Sequence, residues 1–96
     1  MKYRKKPVVI EAFKLGIDSI PDWFMDKVTA NEIILRRYDP NDPRTLIAEI
    51  GTLEGVMTAK YGNYVIRGVA GEVYPCRADI FEETYEAVEE KQVMNE

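Results

Sequence analysis

The side chains that could do chemistry in this chain are one thiol, scattered carboxylates and a group of tyrosines and arginines, with no histidine among them. Cys76 follows Tyr74-Pro75 and precedes Arg77, and a neighbouring cation can lower a thiol pKa enough to make a nucleophile. A nucleophile also wants a base, and without histidine Cys76 reads as a small, partly buried strand residue. Glu49, Glu54, Glu72 and Asp79 are the acids from which a glycosidase-type pair would have to come. Acidic residues at turns and strand ends are, as a rule, simply solvated. The missing histidine also removes Ser-His-Asp hydrolysis, Cys-His proteolysis and most zinc sites, and a single cysteine removes a disulfide framework. The glycines at 51, 55, 62, 68 and 71 are followed neither by a Gly-Lys-Ser/Thr step nor by a strand-turn-helix context, so phosphate cradling is not supported. The expectation is a non-enzymatic protein with no catalytic residue, no metal and no cofactor.

Binding chemistry is better represented. Arg36, Arg37, Arg67 and Arg77 with Tyr38, Tyr61, Tyr64 and Tyr74 make the stacking-plus-cation set that single-stranded nucleic acid prefers. Strand aromatics in a chain of 96 residues are needed for its core. A net charge of -4, from 13 basic and 17 acidic side chains, also disfavours an electrostatic nucleic-acid binder. Tyrosine and arginine are equally the residues enriched in protein-protein hot spots. The expected partner-binding set is therefore Tyr64, Arg67, Glu72, Tyr74, Arg77 and Asp79. Residues 79–96 add Asp79, Glu82, Glu83, Glu86, Glu89, Glu90 and Glu96 against Lys91 alone, a net of -6 that leaves +2 on the preceding 78. That acidic stretch reads as a solvated face, or as a row of carboxylates that imitates a phosphate backbone. Lys2, Arg4, Lys5 and Lys6 make a basic start, but Val8-Val9-Ile10 is too short for a signal-peptide core. With no segment of membrane-span length and one lone cysteine, a reducing cytoplasm is the expected compartment.

These residues need elements to position them. Lys6 to Lys14 reads as a strand entered by a proline. Ser19-Ile20-Pro21-Asp22 looks like a helix start with Ser19 as cap, and Ile20, Phe24 and Val28 recur at four-residue spacing beside Trp23, which predicts a helix over about 21–30. Ile33 to Tyr38 returns to strand character, and Asp39 to Arg44, with two prolines, is a loop tip. Leu46–Leu53, Val56–Ala59, Tyr64–Val69 and Glu72–Cys76, separated by Glu54-Gly55, Gly62-Asn63 and Ala70-Gly71, predict a four-stranded meander. Asp79-Ile80-Phe81 predicts one helical turn, Glu83 to Val88 a last strand that closes the sheet, and 90–96 a frayed acidic tail. The whole is a single α+β domain over residues 1–89: a twisted antiparallel sheet of five or six strands, a partly closed barrel, with one covering helix.

The block Gly62-Asn63-Tyr64-Val65-Ile66-Arg67-Gly68-Val69-Ala70-Gly71-Glu72-Val73-Tyr74-Pro75-Cys76-Arg77-Ala78-Asp79-Ile80-Phe81 and the opening Met1-Lys2-Tyr3-Arg4-Lys5-Lys6-Pro7-Val8 resemble a widespread family of small phage and prophage proteins. The resemblance covers the first fourteen residues and about 52–88. The family more often has Asp where this chain has Asn63 and Pro where it has Ala78. The resemblance carries over no catalytic residue. It implies, by analogy, an accessory protein that binds and modulates a host protein, with inhibition of a defence nuclease such as a CRISPR effector as the leading expectation. The alternatives are a homo-oligomeric assembly module in phage development, in which a sheet edge pairs with its copy in a homodimer, and a weak nucleotide or single-strand binder.

Overall fold

A computed structural model describes residues 1–4 and 6–88. The expected frayed tail at 90–96 lies outside the described residues. The order is β1 (Glu11–Lys14), α1 (Asp22–Thr29), β2 (Ile33–Arg37), a 3-10 turn (Pro43–Thr45), β3 (Leu46–Thr52), β4 (Gly55–Lys60), β5 (Tyr64–Arg67), β6 (Val73–Cys76) and α2 (Ala78–Thr84). The class is α+β, as the spacing predicts, but the six strands form two three-stranded antiparallel sheets, β1-β5-β6 and β2-β3-β4, with two helices and no closed barrel.

The four-strand meander breaks at Gly62-Asn63 for a local reason. Asn63 turns the chain by accepting from the Lys60 amide through Oδ1 (2.9 Å) and donating its own amide to the Lys60 carbonyl (2.9 Å). The end of β1 then takes the returning chain. Leu15 donates to the Asn63 carbonyl (2.8 Å) and Gly62 donates to the Leu15 carbonyl (2.9 Å). β5 therefore zips onto β1, Phe13 opposite Val65, instead of onto β4. The β3–β4 hairpin closes on Leu53-Glu54, with Thr52 opposite Gly55, and Gly55 takes a φ of 107° that an L side chain resists.

The helix predicted over 21–30 is α1, but Pro21 and not Ser19 stands at its N-cap. Phe24 is fully buried and Trp23 and Val28 pack on the core, whereas Ile20 is exposed. Phe13, Trp23 and Phe24 pack edge to face with centroids 4.9 to 6.3 Å apart, a geometry worth about 0.5–1.5 kcal/mol per pair beyond area burial. They join Leu15, Ile33, Ala48, Ile50, Ala59, Val65 and Val73 in one core between the sheets.

Two further expectations differ from the structure. The strand expected from Lys6 begins only at Glu11, and residues 6–10 have no regular secondary structure. The last strand expected over Glu83–Val88 is instead the end of α2 followed by an irregular stretch at 85–88. Four-residue spacing decides it: Phe81 stacks on Tyr85 at 4.9 Å and Thr84 Oγ1 donates to the Ile80 carbonyl at 2.8 Å, both contacts a helical turn supplies. α2 covers the face of the β1-β5-β6 sheet that points away from the core, with Phe81 stacked on Tyr64 at 3.8 Å. Among the described residues no helix is long and apolar enough to cross a membrane.

Candidate protein-binding surface

The six residues expected to form one partner surface lie in three places. Strand alternation sends Tyr64 to the α2 side of its sheet and Arg67 to the other. Tyr64 is half-buried against Phe81, with Lys14 Nζ 5.4 Å from its ring centre. Arg67 Nη1 donates to Glu11 Oε1 at 2.9 Å across the β1–β5 pair. Arg77 precedes α2 and makes a fork onto Asp79, Nη2 to Oδ2 at 2.6 Å and Nε to Oδ1 at 3.2 Å. That guanidinium, first of all, holds the Asp79 carboxyl below its usual range. Glu72 folds back over the tight turn before β6, accepting from the Ala70 amide at 3.0 Å. A Cβ at Gly68 would run into that carboxylate, so a side chain there would displace the Glu72 carboxylate from the turn.

The geometry bears directly on the thiol. Cys76 is half-buried and its pKa is pushed up, first by burial and then by the Asp79 carboxylate. Arg77, the cation that would have activated it, is engaged with Asp79 instead, so the thiol stays protonated at neutral pH. Glu49 is paired with Arg36 across β2 and β3 at 3.1 Å. Among the described residues no group of three or more His, Cys, Asp or Glu side chains is placed to hold a metal ion.

Glu72 and Tyr74 meet at a feature that no sequence pattern announces. Where β6 lies against β3 and β4, the two sheets part to leave a cleft of ≈ 580 Å³. Ile33, Ile50 and Val73 form its buried floor, and Met57, Leu53 and Tyr74 stand around it. Its charged rim is Glu32, Glu54, Glu72 and Lys27, and the lysine is paired with Glu32 at 3.3 Å. The rim thus carries an excess of negative charge over an apolar interior. Leu53 is 105% exposed at the hairpin tip and Val56, close by, 74%. Sequence reasoning passed over both, although a leucine inside a turn otherwise built of Thr52, Glu54 and Gly55 is a signal: a turn does not need it, and the core does not use it.

Tyr74 contributes a second link. Burial first, then the Tyr85 phenol and the Glu72 carboxylate, push its hydroxyl up to about 12. The same side chain therefore borders the cleft and touches the segment that follows α2. No protein family, curated protein or solved structure matches this chain.

Proposed function

We propose that this protein is a non-enzymatic accessory protein that attaches to another protein through the cleft between its two sheets. The observation that carries the reading is the pairing of solvent-exposed Leu53 with an apolar-floored, acid-rimmed cleft. Clefts of this size with a few convergent polar groups are where proteins seat ligands and partner side chains. The charge of the rim selects a partner segment in which an apolar side chain is flanked by lysine or arginine. The arginines and acids of the β5–β6 hairpin support the reading in a negative way. Arg67 with Glu11, and Arg77 with Asp79, satisfy one another within the chain, which leaves them little reason to seek a partner. The host-directed, anti-defence part of the proposal is carried by the resemblance of residues 1–14 and 52–88 to phage and prophage proteins.

Capture from a bacterial lysate on the immobilised chain tests it. A stoichiometric protein partner is expected, with capture reduced at least about tenfold by Leu53→Asp, as for the loss of a hot-spot residue, and weakened by Glu72→Arg. Leu53 is outside the core, so its variant folds. Absence of a partner above background, or a partner retained equally by both variants, would sink the proposal.

A further inference from the structure

The open edge of β1 is a second surface, independent of the cleft. In the sheet order β1-β5-β6, β1 has β5 on one side only. Leu15 donates to Asn63 on the β5 side, so by the alternation of an antiparallel ladder the amides of even-numbered residues point to the free edge. At the end of β1 that edge is closed: Asp18 Oδ2 accepts from the Lys14 amide at 2.9 Å, and the Lys14 carbonyl accepts from Ile17 and Asp18. Towards residue 6 it is open. Among the described residues Ala12 in β1, and Ile10 and Val8 ahead of it, donate to no backbone partner, and Val8 and Val9 are exposed. If the strand phase of β1 is continued back to residue 6, the odd-numbered Pro7, which has no amide to give, lacks only an inner donor and leaves the outer edge intact.

The same region carries two opposite charges. The arm has Lys2, Arg4 and Lys6, exposed and with no ion pair among the described residues. Facing residues 8–12 across a cleft of ≈ 560 Å³ is the wall of Phe81, Glu82, Tyr85 and Glu86. An open, long edge with apolar residues is a template for another strand, and a basic strand beside an acidic wall is complementary to its own copy.

We propose that two copies of this chain pair through residues 6–12, antiparallel about a two-fold axis near Val9, the basic arm of each reaching the acidic wall of the other. In that register Lys6 lies opposite Ala12 of the second copy, and Val8 opposite Ile10. Directly opposed residues share a sheet face. Lys6 therefore emerges on the face that α2 covers, where Glu86 stands beside the Lys14–Glu82 pair (3.9 Å). The contact is isologous and closes on itself, so it yields a dimer and not a fibre.

Sedimentation of the full chain across the micromolar range, at low and at high salt, tests the proposal. A monomer–dimer equilibrium that salt weakens is expected. Ala12→Pro removes an outward amide and no bond to β5, and should return the chain to monomer with an unchanged circular dichroism spectrum. Lys6→Glu, on the exposed arm where folding is not at stake, should weaken the dimer by about tenfold, and adding Glu86→Lys should recover it. Should Ala12→Pro misfold, the charge exchange decides alone. A wild-type monomer at every concentration, which would leave the edge for a strand of some other protein, overturns the proposal. So does a dimer indifferent to the Lys6 and Glu86 exchange.

Discussion

The two sheets solve the burial problem in different ways. In β5 consecutive residues, Val65 and Ile66, are both fully buried, which requires cover on both faces: the core on one, α2 on the other. In the β2-β3-β4 sheet burial alternates. Ala48 and Ile50 face the core, while Ile34, Arg36, Glu49, Val56 and Lys60 lie on an outer face that no element among the described residues covers. The strands of the covered sheet are four residues each, and those of the open sheet reach seven. Short strands carry few ladder bonds and rely on what lies above and below them, whereas the longer β3–β4 hairpin holds its register by itself. The surfaces proposed for attachment lie where cover is not needed: on the hairpin tip, in the cleft beside it, and along the β1 edge of the covered sheet.

The largest effect should appear where the comparison is sharpest. Ile66→Ala empties a fully buried site on the α2 side of its sheet and should cost about 2–5 kcal/mol in denaturant unfolding, the range for a buried isoleucine. Ile34→Ala, on the open face and 46% exposed, should stay within about 0.5 kcal/mol. Equal losses would mean that the two sheets are covered alike.

Alkaline titration sharpens the same contrast at the seam where Tyr74 meets Tyr85. Burial, first, and the Tyr85 phenol hold the Tyr74 hydroxyl at about 12 in the folded protein, against about 10 in an unfolded chain. Between those values the folded state keeps a proton that the unfolded state releases. The resulting stability is fully present below about pH 10 and is lost as pH rises through about 12. Thermal unfolding followed across that window should show the decline, and Tyr74→Phe should flatten it. A decline of the same depth in Tyr74→Phe would place its origin elsewhere.

Much of this fold is legible in the residues, because most of it is local. α1, β2 and the four later strands fall within a few residues of where spacing and turn chemistry put them, since glycines and Asn63 act on their immediate neighbours. Pairing is not local. Nothing within Tyr64–Arg67 says that its partner is β1, more than fifty residues earlier, and the bonds between Leu15, Gly62 and Asn63 that decide it depend on the chain having already folded back. The stretch 83–88 misleads for a related reason: its alternation suits a strand, but Phe81 and Tyr85 at helical spacing find Tyr64 beneath them. The proposed binding surface is legible only in part. Glu72 and Tyr74 do reach the cleft, whereas Arg67, Arg77 and Asp79 are taken up by partners close at hand. Leu53 stood in the sequence as an unneeded apolar residue in a turn.

The smallest expected effect concerns the entry to α2, at Ala78. Ala78 is the first helical residue and Arg77 before it has φ -62° and ψ 143°. That extended conformation is the one a following proline imposes on its predecessor, and the first helical amide has no partner within the helix. Proline at this position thus loses no helical bond and adds no strain, while it restricts the unfolded chain. Ala78→Pro should raise stability by about 0.4–1 kcal/mol, read as a higher melting temperature with an unchanged denaturant slope. Because α2 is the cover of the β1-β5-β6 sheet, the gain should also slow amide exchange in Tyr64–Arg67 under conditions of global opening, and leave the tip of the β3–β4 hairpin untouched. A destabilising Ala78→Pro would show that α2 does not begin at Ala78 in solution, and with it the claim that this helix seals the sheet would fail.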